Sequence, residues 1–122
     1  MENNTQLNCN VHELETKIAA FGHILKVSQA MGEHFAVYVD QVLPILYKHF
    51  GYLARQVRKN AMKTLQYCLI AKNGEPALLH AMFDQFAFAI LKANKKQDTK
   101  ELKLVYKELY KCLDAAKEAK QT

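Results

Sequence analysis

The chain has 122 residues, half of them apolar and 24% charged, with a formal charge of +5. That is enough for one modest core and too apolar for a disordered tail. Four glycines and two prolines are too few for an all-β sandwich, and the longest apolar run, Phe86 to Leu91, falls far short of the ~20 residues that cross a bilayer.

The start, MENNTQLNCN, is polar and slightly acidic, unlike a secretory signal, and residues 1–10 are expected to form a flexible tail. A first helix is expected from about Val11 to Ala30, with Leu14, Ile18, Phe21 and Leu25 on one side and Gly32 as its stop. The second runs from about Glu33 to Phe50, with Phe35, Val39, Val42, Ile45 and Leu46 apolar, and Gly51 follows it. The third covers about Ala54 to Lys72 through Val57, Ala61, Leu65, Cys68 and Leu69, and Asn73-Gly74 closes it. The fourth opens on Glu75-Pro76, where a proline's missing N–H costs nothing, and continues through Leu79, Met82, Phe83, Phe86 and Ile90. The fifth, from Asp98 or Thr99 to about Ala116, carries Leu102, Val105, Leu109, Cys112 and Leu113.

A shift of about 44 residues aligns the chain with itself. Asp40-Gln41, Leu46 and Lys48 fall on Asp84-Gln85, Ile90 and Lys92, while Leu65, Cys68, Leu69 and Ala71 fall on Leu109, Cys112, Leu113 and Ala115. Two different helices share one offset, and it lies within the ~40–47 residue range of HEAT and armadillo units. Pro44 stands inside the second helix, an expensive place unless a bend is wanted, and Val57-Arg58, Ala61 and Leu65 follow it. This order resembles the HEAT pattern, in which a proline bends the first helix and Val-Arg opens the second. The resemblance implies structural roles for Pro44, Val57, Arg58, Ala61 and Leu65. The family's turn aspartate, five residues before the valine, is Tyr52 here, so Arg58 needs another acceptor; in the next unit Phe88 replaces the proline and Glu101-Leu102 replaces Val-Arg. The expected fold is therefore all-α, an α-α superhelix of about five antiparallel helices. It would span residues 11–118, about two and a half repeats, as a fragment of a longer solenoid.

From Val11 to about Ala116 the chain resembles the importin-beta family of nuclear transport receptors, nearest the C-terminal third of the importin beta-three (importin-five) branch. The residues that carry the likeness are Leu14, Glu15 and Lys17, Phe35 to Val39, Gln41-Val42-Leu43-Pro44-Ile45-Leu46, Val57-Arg58 with Ala61, and the Phe-rich helix 83–90. The resemblance implies a receptor that shuttles between cytoplasm and nucleus. Its partners would be import cargo, the phenylalanine-glycine repeats of nucleoporins and, through the parent chain, Ran. The alternative is a HEAT scaffold of another complex, a phosphatase subunit or a cytoskeletal adaptor.

No residue set argues for an enzyme, a cofactor or a metal. His12-Glu13 lacks the second histidine of a zinc helix, since Thr16 holds that place, and Cys9 with His12 has no second ligand pair. The other histidines are scattered, and no phosphate loop or nucleophile elbow occurs. Three cysteines, an odd and widely spaced set, suit a reducing compartment, with Cys68 and Cys112 as buried thiols. Asp40 and Asp84 recur at the period and read as structural. Two basic stripes remain, Arg55, Lys59 and Lys63 on the third helix and Lys100, Lys103, Lys107 and Lys111 on the fifth. Each lies opposite its helix's apolar face, either as a solvated surface or as a concave track for an acidic peptide. Nucleic acid fits less well, because Tyr106 and Tyr110 lean toward the apolar side. Of the aromatic residues on the first helices, Phe83 and Phe86 follow core spacing, whereas Phe88 points away, either exposed or reaching a neighbouring repeat; phenylalanine-glycine repeats would need an exposed apolar groove between such helices.

Overall fold

The computed structural model describes the backbone of residues 2–121 and the side chains of residues 11–120. It is all-α: α1 (Glu2–Met31), a 3₁₀ turn (Gly32–Phe35), α2 (Ala36–Lys48), α3 (Arg55–Ala71), α4 (Pro76–Lys95) and α5 (Thr99–Gln121), with no strand among the described residues. The backbone of residues 2–10 is part of α1, and the side chains of that expected tail lie outside the described residues, Cys9 included.

Each corner has a local chemical cause. Gly32 takes φ +55° and starts the 3₁₀ turn, which leads straight into α2, so the second helix begins three residues later than its pattern suggests. Asn73 (φ 55°) and Gly74 (φ 65°) end α3 in left-handed conformation, with the Gly74 N–H donating to the Leu69 carbonyl at 2.8 Å. A Cβ at Gly74 would also lie 2.8 Å from the Ala116 carbonyl of α5, so only glycine fits this approach. Pro76 opens α4. Gln97 (φ 55°) ends it, and the Asp98 carboxylate caps α5 by accepting the Glu101 N–H at 3.1 Å. Gly51, by contrast, is not left-handed; the turn after α2 closes through His49, Phe50 and Tyr52 N–H groups donating to carbonyls three residues back.

α3 is the middle of the molecule. It packs against α1, α2 and α5, while α4 packs on α5. The α2–α3 and α4–α5 hairpins therefore join along α3 and α5, and α1 covers the other flank of α3. Val57, Ala61, Leu65, Cys68 and Leu69 of α3 are all buried, as their spacing requires. They meet Val39 and Leu46 of α2, Met82 and Phe86 of α4, and Val105, Cys112 and Ala116 of α5 in one core. α1 docks through Phe21, whose ring lies 4.7 Å from that of His49, and through Lys17, whose ammonium sits 4.4 Å from the centre of the Tyr52 ring.

The buried arc of α5 differs from the expected one. Leu104, Glu108 and Ala115 are buried, whereas Leu102, Leu109 and Leu113 are only half-buried and Tyr106 and Tyr110 are exposed. α5 packs against both α3 and α4, and its buried side spans the two contacts. The flank of α5 that carries Tyr106 and Tyr110 is uncovered among the described residues. Tyr106 and Tyr110 stack there at 6.5 Å, outward rather than toward the core. Phe83, expected in the core, is 43% exposed, and Phe86 alone of the two fills the interior.

Candidate functional site

Arg58, at the start of α3, organises the junction of the hairpins. Its Nε donates to Glu101 Oε2 at 2.8 Å and its Nη2 to Glu101 Oε1 at 2.7 Å, a two-pronged pair that planar guanidinium and carboxylate groups favour. Nη1 donates to the carbonyls of Tyr52 (2.8 Å) and Leu53 (2.9 Å). The acceptor that the sequence left open is thus Glu101 of the next hairpin, and the Tyr52 position contributes a main-chain carbonyl where the HEAT pattern has an aspartate.

Beside this junction lies a cleft of about 720 Å³, between the end of α2 with its turn and the second half of α4. Tyr47, Phe50, Ala89 and Ala93 form apolar walls, and Leu53, Phe88 and Leu91 stand at the mouth, 77%, 73% and 66% exposed. Phe88 stays outside because it lies 200° around α4 from buried Phe86. Arg58, Lys92, Lys95, Lys96, Asp98 and Glu101 supply the charge. Phe88 is thus exposed, and it borders this cleft.

The two lysine stripes are elsewhere. None of Arg55, Lys59, Lys63, Lys100, Lys103, Lys107 and Lys111 lines the cleft. Arg55, Lys100, Lys103 and Lys107 are exposed, and Lys59, Lys63 and Lys111 are half-buried. Sequence reasoning missed Lys92, Lys95 and Lys96, whose signal was a basic run one turn after an outward-pointing phenylalanine. Pro44 is exposed on α2, while Val57, Ala61 and Leu65 are fully buried.

A polar group inside the core also escaped the sequence. Glu108 is fully buried, its Oε2 accepting from Gln66 Nε2 at 3.1 Å and its Oε1 without a partner. The Tyr47 hydroxyl is likewise buried and unpartnered. Burial pushes the Tyr47 phenol up to about 12, helped by the neighbouring Cys68 and Cys112 thiols. Burial alone pushes Cys68 up to about 12, and it raises Cys112 as well, with the Glu108 carboxylate and Cys68 adding to the effect. Both cysteines are free and buried, and Cys112 Sγ approaches the Met62 carbonyl at 3.7 Å. These are protonated thiols at neutral pH, poor nucleophiles and poor ligands.

Among the described residues no three His, Cys, Asp or Glu side chains gather as a metal site would require. His49 is buried between Phe21 and Tyr52, its Nδ1 2.8 Å from the Ile45 carbonyl, and the other four histidines are exposed. Asp40 and Asp84 are exposed, on α2 and α4. No helix of the described residues is long and apolar enough to cross a membrane. No protein-family model, curated protein or solved structure matches the chain.

Proposed function

We propose that this chain is a protein-binding stack of HEAT-type helical hairpins, serving as a segment of a nuclear import receptor. The observation that carries the reading is the cleft between α2 and α4, with Phe88, Leu53 and Leu91 exposed around apolar walls. Such a mouth suits a phenylalanine ring presented by an extended peptide. Glycine beside that ring lets the peptide backbone come close, and the apolar contact gives weak, rapidly reversible binding, as passage through a pore needs. The Arg58–Glu101 pair supports the repeat arrangement, because it ties equivalent ends of successive hairpins. Cargo and Ran would be engaged through the parent chain, and the receptor would move between cytoplasm and nucleus.

The test is retention on immobilised phenylalanine-glycine repeats. Wild type is expected to be retained and to be released by a competing apolar diol. Phe88→Ser is expected to flow through with unchanged helix content. No retention of either the wild-type chain or its parent would remove the transport reading and leave a HEAT scaffold of another complex.

A further inference from the structure

α4 ends in the run Leu91-Lys92-Ala93-Asn94-Lys95-Lys96, which forms one lip of the cleft. Lys92, Lys95 and Lys96 are exposed, and none forms an ion pair among the described residues. The two carboxylates at the same mouth are already engaged: Glu101 holds Arg58, and Asp98 caps α5. Four cations against two carboxylates leave the mouth with a positive surplus of two.

Lysines in a last helical turn complement the helix dipole, and that alone would explain their presence. It does not explain where the Lys92 ammonium lies. A Cβ on Gly51 would come within 3.2 Å of Lys92 Nζ, so the ammonium reaches across the cleft to the turn after α2, over a residue with no side chain. A dipole partner needs only to stay near its own carbonyls. This one spans the opening.

We infer that the cleft selects a peptide carrying Asp or Glu beside its aromatic anchor. The inference rests on the peptide-binding reading above and adds the charge of the partner. Apolar walls are indifferent to sign; the lysines at a mouth of partly excluded water are not. The spacing follows from the helix. Lys92 is one turn beyond Phe88, about 6 Å along α4, which an extended peptide covers in roughly two residues. The acidic side chain therefore belongs one or two positions from the aromatic one.

The experiment is fluorescence anisotropy of the full chain with three labelled peptides of equal length. Each carries one Phe-Gly, flanked by Asp, by Ser or by Lys. The Asp peptide is expected to bind most tightly, by roughly tenfold over the Lys peptide at low salt, since exposed pairs contribute a few-fold each. The gap should close as salt rises. K92E/K95E/K96E is expected to reverse the order of the Asp and Lys peptides without altering helix content. Equal affinities for all three peptides overturn the charge selection while keeping the aromatic site. An unreversed order in the triple variant also overturns it and moves the selection to another surface, such as the Lys103 and Lys107 stripe. Failure to bind any of the three, the Ser peptide included, removes the peptide-binding reading itself.

Discussion

Arg58 of α3 and Glu101 of α5 meet through two hydrogen bonds, at 2.8 and 2.7 Å, across the boundary between successive hairpins. The pair is mostly shielded, with 17% and 14% of the two side chains exposed, and the arginine's remaining nitrogen is taken by two carbonyls. Removing either partner strands the other in a place poor in water. Arg58→Ala is expected to cost about 2–3 kcal/mol, and Glu101→Gln less, because the amide still accepts one bond. Urea denaturation followed by circular dichroism measures both. In a double-mutant cycle the losses should be less than additive, and strict additivity would mean that the two side chains stabilise the fold independently.

Glu108 is a charged residue type in the apolar seam, with one oxygen lacking any partner. Replacing it by leucine exchanges that orphan for packing, and the Gln66 amide left behind is only half-buried and can turn to water. Glu108→Leu is expected to raise stability by about 1 kcal/mol, while Gln66→Leu, which strips Glu108 of its donor, should lower it by about 1–2 kcal/mol. A destabilised Glu108→Leu chain would show that the carboxylate has a role in the native seam beyond that single bond.

Alkaline pH should act through the buried thiols and the Tyr47 phenol. Their folded values lie above the ordinary 9.0 and 10.0, because burial opposes the anion. The folded state thus keeps protons that the unfolded chain gives up. Stability is fully present below pH 9 and falls from pH 9 toward about 12, by as much as ~1.4 kcal/mol per pH unit for each group. Cys68→Ala/Cys112→Ala is expected to flatten that decline in urea midpoints measured between pH 8 and pH 11, whatever its effect on stability at neutral pH. An unchanged slope would place the alkaline loss elsewhere.

Two glycines should respond in opposite directions. Gly74→Ala forces a left-handed residue to carry a Cβ 2.8 Å from the Ala116 carbonyl, and a loss of about 2–3 kcal/mol is expected. At Gly22, inside α1, a methyl group would meet nothing nearer than the Asn60 amide at 3.8 Å. Gly22→Ala should therefore gain about 0.5–1 kcal/mol through helix propensity. Thermal melts of the two variants beside wild type decide the matter.

The lysine stripe of α5 is separable from the cleft. Lys103→Glu/Lys107→Glu changes two exposed side chains outside it. Retention on phenylalanine-glycine repeats is expected to persist in this variant, and binding to an acidic partner that uses the stripe is expected to disappear. Lost retention would tie the stripe to the cleft.

Helical spacing alone identified α3 well, because this helix is enclosed on three sides and its Val57, Ala61, Leu65, Cys68 and Leu69 have one consistent burial direction. It served α5 less well. A hydrophobic stripe gives the mean direction of burial, and packing against both α3 and α4 widened and turned it, drawing in Glu108 and leaving Leu102 half-exposed. Phe88 was legible as an outward residue from its angle to Phe86. The cleft that it borders was not, since its opposite wall comes from the turn at residues 50–53, more than thirty positions earlier in the chain. The partner of Arg58 was hidden for the same reason: no local pattern links it to Glu101, 43 residues away.

One guanidinium has a mechanical consequence. Arg58 grips Glu101 on α5 and, with its other nitrogen, the carbonyl of Leu53, whose side chain stands at the cleft mouth. The arginine fastens the lip of the cleft to α5, so a shift of α5 at Glu101 must either carry Leu53 along with it or break the grip.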